Sequence, residues 1–288
     1  DRNQLQARLE RDMAGAGEPS VGTSGMAQAE VARELPLGPA QRWLMAYFPP
    51  PYAWFGFSRL GYRGALDPSA FDGALHALIE RHEALRTRFV ERDGAWRQQV
   101  LAATPPLSAT WFDCAEPEGR ERYATRHALA QELAAEMRIE RWPLLRAVVF
   151  RIAPDHHEIL FVMHHIVMDL VSGSVFFKEF WRAYDHVLAH GDHCRFEQPA
   201  PAHGDYVLAL ERQLTPQVRE RCVRYWTSVL GGRSPLRMPT DGPLPDQNTV
   251  ASSRLHRVAL TREESERLLR ETKRRHRSNL YTLLLAPL

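Results

Sequence analysis

Along the chain, apolar residues recur with two different periods, and each change of period marks an element. Phe71, Leu75, Leu78, Ile79 and His82 return at helical spacing behind Asp67-Pro68, a pair suited to the N-cap and first helical position. Pro39 in LPLGPAQRWLMAYF predicts a short amphipathic helix, and WFGFSRLGY, Trp54–Tyr62, carries the aromatics of a strand. RTRFV and WRQQVL flank ERDG, Glu91–Gly94, which reads as a hairpin turn. LLRAVVFRI and EILFVMHH, separated by APDHH, read as a second antiparallel hairpin with His156-His157 in its turn. Glu118–Glu140 is expected to be a long helix stopped by Pro143. Ser172 or Ser174 is expected to cap another, with Val175, Phe176, Phe180, Tyr184, Val187 and Leu188 buried and Gly191 at its end.

Farther on, QPAPAHGD reads as a loop, and Tyr206–Leu214 and Pro216–Leu230 as helices. SPLRMPTDGPLPDQN is a Pro-rich surface excursion and RLHRVAL a strand. Thr261 caps a last basic helix carrying KRRHR, Lys273–Arg277, a solvated face or a surface for an acidic partner. Residues 1–13 resemble the end of a charged helix, AGAGEPSVGTSGMAQ has linker composition, and the compact part is expected to start near Val31. Hairpins are frequent and strict βαβ alternation is missing. The expected class is therefore α+β, a two-layer α/β sandwich with an antiparallel or mixed sheet.

Totals narrow the functions without choosing one. The 288 residues suffice for one sizeable core or two, and 44% hydrophobic against 25% charged residues is a globular composition. A formal charge of +2, from 37 basic and 35 acidic residues, gives no electrostatic case for nucleic acid or an anionic membrane. No apolar run approaches the roughly 18 residues that span a bilayer. Cys114, Cys194 and Cys222 are widely spaced without a CxxC, as expected of free thiols in a reducing, cytoplasmic setting. The seven tryptophans are expected in the core.

Chemistry concentrates in HEILFVMHHIVMDLVSGSVFF, His157–Phe177. Adjacent strand side chains point to opposite faces, so only one of His164 and His165 can face a given cavity. A two-histidine, one-carboxylate metal site with Asp169 then lacks converging ligands, and no metal is expected there. The pair sits where an apolar strand gives way to a loop, a usual place for chemistry on a rigid scaffold. A histidine there can take a proton at neutral pH. Asp169 could order the loop by pairing with an arginine. Ser172 and Ser174 follow, but neither lies in a GxSxG elbow, which disfavours a nucleophilic triad. Two readings stay open on these residues: ordinary strand histidines, or transfer between two bound substrates with histidine as base.

MHHIVMDLVS resembles the HHxxxDG motif of the condensation domains of nonribosomal peptide synthetases. RHEALRTRF, Arg81–Phe89, is similar throughout to that family's RHExLRTxF. GPAQRWL, Gly38–Leu44, resembles its SxAQxRLW opening without the serine; HGDYVLA, from His203, is a loose counterpart of YxDYAxW, and MPTDGPLP of LPTDRPRP. The resemblance covers Leu35 to the end. It implies a fold like chloramphenicol acetyltransferase, repeated as two lobes with a tunnel between them. Residues 31–212 would form the N-terminal lobe and 213–288 the start of an incomplete C-terminal lobe. Residues 1–30 would be a linker or the tail of an upstream carrier or docking element.

The resemblance also implies acyl transfer, from a thioester on one carrier protein's phosphopantetheine arm to an amine or hydroxyl on another. Partners would be those carrier domains and neighbouring synthetase or polyketide synthase modules, with no cofactor or metal of this chain's own. His165 would be the active-site residue, His164 would point away and pack, and Asp169 would pair with Arg81 or Arg86. The motif glycine is Leu170 here. At a left-handed position a leucine costs about 1 kcal/mol or more, and its side chain could narrow the tunnel. A disabled module that only docks carriers therefore stands beside the active enzyme. A coenzyme A-dependent acyltransferase of the same fold would show HxxxDG, and RHEALRTRF favours the carrier-dependent branch. Cyclising relatives carry DxxxxD instead, whereas epimerising relatives share both histidines.

Overall fold

The computed structural model describes residues 30–48, 50–114, 120–191, 193–232, 242, 252, 254–275 and 279–285. The expected N-terminal helix and linker, the Pro-rich excursion apart from Gly242, and the side chains of the basic run Lys273–Arg277 lie outside the described residues. The chain divides into two compact units at Arg219/Glu220.

In chain order the first unit holds β1 (Val31–Pro36), α1 (Pro39–Tyr47), β2 (Phe55–Arg63), α2 (Pro68–Arg81), a 3-10 turn (Glu83–Arg86), β3 (Thr87–Arg92), β4 (Ala95–Leu101) and β5 (Thr110–Asp113). Then follow α3 (Arg120–Glu136), β6 (Leu145–Ala153), β7 (His156–His164), α4 (Leu170–His190) and α5 (His203–Gln213). One sheet has the order β1-β4-β3 and the other β2-β7-β6-β5. All pairings are antiparallel except β5 with β6, so the α+β class with antiparallel and mixed sheets is the one observed.

Local chemistry accounts for these elements. Asp93 and Gly94 have φ of 52° and 71°, the left-handed pair that a two-residue hairpin turn between β3 and β4 requires. The Asp67 carboxylate accepts from the Ala70 N–H at 2.7 Å, and Pro68 opens α2. Strand β7 is buried on both faces. Ile159, Phe161 and Met163 pack with Phe71, Leu75 and Leu78 of α2 and Phe176 and Phe180 of α4. Leu160 and Val162 pack on the other side with Leu129, Ala130 and Ala134 of α3. Burial on both faces is why ILFVM, Ile159–Met163, is an unbroken apolar run rather than an alternating one.

Several expectations need correction. The β6–β7 turn is only Pro154-Asp155; His156 and His157 belong to β7, opposite Arg63 and Tyr62. Helix α4 is capped by Asp169, not by Ser172 or Ser174, and Ala183 is buried while Val175 and Leu188 are exposed. Helix α3 ends at Glu136, well before Pro143, and α5 already starts at His203. Trp142 lies in the core, but Trp43, Trp54 and Trp226 are exposed. Strands β1 and β5 were not anticipated.

Helix α6 (Pro216–Leu230) crosses the division, and the second unit also contains α7 (Arg262–Arg275) and α8 (Leu280–Leu285). Thr261 and Glu264 cap α7 reciprocally: Glu264 Oε2 accepts from the Thr261 N–H at 2.8 Å, and Thr261 Oγ1 from the Glu264 N–H at 3.2 Å. Arg254–Leu260, expected as a strand, has no strand pairing among the described residues. Without a neighbour to take its N–H and C=O groups, apolar alternation alone does not make a strand. No helix among the described residues is long and apolar enough to cross a membrane.

Candidate active site

The histidine pair lies at the end of β7, where the ladder with β2 is just closing. His164 is opposite Phe55, and the His165 N–H donates to the Trp54 carbonyl at 2.8 Å, so the pairing extends one residue further. Period-2 geometry then separates the two rings. The His164 ring stands edge-on to Phe55 at 4.7 Å, whereas His165 leans on Trp54 at 4.8 Å.

His164 is buried. Its Nδ1 accepts from the Ile166 N–H at 3.1 Å, which assigns the neutral ring's proton to Nε2. That Nε2 is buried without a hydrogen-bond partner among the described residues. Burial depresses the ring's pKa to about 4; the Tyr52 backbone opposes this and the neighbouring His165 ring adds to it. His164 is therefore a neutral prop for the turn that follows, where the Val167 N–H donates to its carbonyl at 3.1 Å.

His165 is half-buried. Its Nδ1 is 3.0 Å from the Met168 carbonyl, an oxygen that can only accept, so the neutral ring carries its proton on Nδ1. Nε2 is left as a lone pair. A Cβ on Gly56 of β2 would come within 3.5 Å of it, so glycine keeps that flank of Nε2 uncovered. A ring nitrogen so placed is able to accept a proton.

Residues outside the motif hold the loop in place. Gln41 of α1 is buried; its Nε2 donates to Gln98 Oε1 at 2.8 Å and to the Ile166 carbonyl at 3.3 Å. It thereby ties α1 and β4 to the turn that carries His165. Trp54 joins His165 to an aromatic cluster, with Phe48 at 4.9 Å and Trp43 at 5.6 Å. No role at the site was assigned from the sequence to Gln41, within GPAQRWL, to Trp54, expected in the core, or to Gly56, although a glycine inside a strand pattern is itself a signal of close approach.

Asp169 does not meet an arginine among the described residues. Its Oδ1 accepts from both the N–H and the hydroxyl of Ser172, each at 2.7 Å, at the N-terminus of α4. Those hydrogen bonds hold its carboxyl below the usual range. Arg81 instead pairs with Glu179 at 3.0 Å, donates to the Gln198 carbonyl and lies 4.2 Å over the Phe196 ring. Burial pushes the Glu179 carboxyl up, but the hydrogen bonds from Arg81 and His82 outweigh it and the net displacement is downward. Arg86 donates to the carbonyls of Leu101, Ile79 and Glu80. Across RHEALRTRF, Glu83 pairs with Arg33 at 2.9 Å, the Leu85 carbonyl accepts from Trp142 Nε1 at 2.8 Å, and Phe89 is buried. The segment is a brace that joins α2 to its neighbours, not a wall of the site.

Leu170 occupies the first position of α4 with its side chain exposed. Tyr52 and Asp93, not Leu170, are the described non-glycine residues at positive φ. The backbone strain expected of a leucine at this motif position is not there.

Comparison with known proteins gives the family. A family model described as the condensation domain matches residues 31–288. The chain belongs to the condensation domain family. It is similar to one of the linear gramicidin synthase polypeptides of Brevibacillus parabrevis, 29% identical over 91% of this chain and 3% of that protein. Chondramide synthase cmdD of Chondromyces crocatus is 34% identical over 63% of this chain and 5% of its own length. The chain thus spans 3% and 5% of the length of these relatives. Among solved structures, the epimerization domain from the third module of tyrocidine synthetase B superposes with a TM-score of 0.74 at 24% identity, over 90% of this chain and 57% of that one. The starter condensation domain of rhizomide synthetase gives 0.58 at 19% identity, over 71% and 49%. The fold is that of condensation domains, like chloramphenicol acetyltransferase, with sheets that do not close.

Proposed function

We propose that this chain carries out carrier-dependent acyl transfer, joining a donor acyl thioester to an amine, or a hydroxyl, in natural-product assembly. The acceptor nitrogen or oxygen attacks the thioester carbonyl carbon, and the new bond forms as the C–S bond breaks. The proton lost by the nucleophile passes through His165 Nε2 to the departing phosphopantetheine sulfur. The observation that carries this reading is the Nε2 lone pair, set by the Nδ1–Met168 contact and flanked by Gly56, which puts no side chain against it. Holding both partners on one axis beside that atom supplies much of the rate.

Both arms belong to partner carrier domains, so the reading requires no cofactor or metal from this chain. Relatives that are synthases and nonribosomal peptide synthetases many times its length support neighbouring modules as partners. Leu170, unstrained at the head of α4, favours an active enzyme over a module that only docks carriers. The test is transfer between loaded carriers, followed by intact-protein mass spectrometry of the full-length protein and His165→Ala. A parallel run in deuterated water, with the donor carrier alone, separates condensation from exchange at the donor α-carbon.

A further inference from the structure

A second cluster of titratable side chains involves none of these residues. His76 and Glu80 lie four residues apart on α2 and so share one face of it. His193 comes from the segment after α4. Gly191, at φ 69°, ends that helix, and Cys194 is buried in the main core, so His193 is fixed between a helix end and an anchored neighbour. Glu80 offers one oxygen to each ring: Oε1 is 3.3 Å from His76 Nε2, and Oε2 is 2.7 Å from His193 Nε2. The three ligand atoms all lie within 4.8 Å of one another.

Bonds of about 2.0–2.2 Å to nitrogen and oxygen separate neighbouring ligands on a tetrahedral ion by roughly 3.4 Å. The 3.3 Å and 2.7 Å contacts are made by different oxygens of Glu80, so a small rotation of that exposed side chain brings one oxygen, or both, onto an ion shared with the two imidazole nitrogens. Relative side-chain exposures of 32%, 55% and 36% leave a route for an ion and room for water as fourth ligand. Two imidazoles and one carboxylate are a donor set for zinc and its first-row neighbours.

We propose that His76, Glu80 and His193 form a divalent transition-metal site, with Zn²⁺ the expected ion, that clips α2 to the segment following α4. Two features limit its strength. Nδ1 of His76, which must hold the ring proton when Nε2 binds metal, is buried without a partner among the described residues. The Arg86 guanidinium, which donates to the Glu80 carbonyl, is a nearby positive charge. The expected affinity is accordingly micromolar rather than nanomolar.

The test titrates the full chain, stripped by chelation, with Zn²⁺ by calorimetry and with Co²⁺ by visible absorption. The wild type should show a saturable site and the absorption intensity of tetrahedral Co²⁺. His193→Ala and Glu80→Gln, each checked for folding by circular dichroism, should weaken that site at least about tenfold. The double variant His186→Ala/His190→Ala removes a half-buried and an exposed histidine on α4, with rings 4.5 Å apart, and should leave the site unchanged. Binding that survives both His193→Ala and Glu80→Gln, that disappears with the His186/His190 pair, or that never saturates in the wild type overturns the proposal.

Discussion

His164 makes a prediction whose size can be worked out from the structure. The ordinary histidine value of 6.5 falls to about 4 for this buried ring. A gap of between two and three pH units, at about 1.4 kcal/mol each, is about 3 kcal/mol of stability tied to one proton. The sign follows from the direction of the shift. The folded value lies below the unfolded one, so this stability is complete above pH 6.5 and is lost as the pH falls through 4. Between pH 8 and pH 5 the loss due to this residue alone should be about 2 kcal/mol. His157 and His203 are displaced in the same direction by burial and add to the wild-type slope. A comparison that retains them isolates His164. The variant is His164→Asn, whose side-chain oxygen can still accept from the Ile166 N–H. Urea unfolding at pH 8, 6 and 5, followed by far-ultraviolet circular dichroism, gives the free energies. The variant should be less stable at pH 8, yet lose about 2 kcal/mol less than the wild type on acidification. Equal losses in both proteins would mean that His164 is not the neutral buried prop described here.

Other substitutions test the surrounding contacts. Asp169→Ala should cost about 0.5–2 kcal/mol as a lost helix cap. A double-mutant cycle with Arg81→Ala should show a coupling below about 0.5 kcal/mol, and a larger coupling would restore the ion pair. Gly204→Ala should destabilise by about 1–3 kcal/mol in thermal unfolding, because the new Cβ would come 2.5 Å from Leu35 Cδ1 where α5 crosses β1. Leu170→Gly removes an exposed helix-opening side chain, so it should cost no more than about 1 kcal/mol and leave transfer unchanged. A gain in transfer would show that the leucine obstructs the site.

The sequence was most legible where short-range chemistry decides the structure. Asp67-Pro68, the ERDG turn and the paired runs at β6 and β7 each carry their instruction within a few residues. The order in space of His164 and His165 also followed, because strand alternation needs no knowledge of the rest of the fold. The four-residue strand β5 is too short to show a period, and its parallel partner β6 lies beyond α3. Arg81 shows the harder problem. Its motif placed it beside an acidic group, but tertiary packing chose Glu179 of α4 rather than Asp169. The local alternative was visible, since Asp169 stands three residues before Ser172 at the start of a helix. The role of Gln41 depended on α1 and the His165 turn meeting across 125 residues of chain, which no local pattern reveals.

The central claim is that His165 Nε2 handles the proton of carrier-to-carrier acyl transfer. The measurement that reaches it most directly is intact-protein mass spectrometry of a loaded donor carrier, an amine-bearing acceptor carrier and the full-length protein. Wild type, His165→Ala and Gly56→Val are run in parallel. Acyl mass should move from donor to acceptor with the wild type, disappear with His165→Ala, and fall sharply with Gly56→Val, whose methyl groups would cover Nε2. Transfer that persists in His165→Ala at the wild-type rate, with both carriers loaded, would contradict the account.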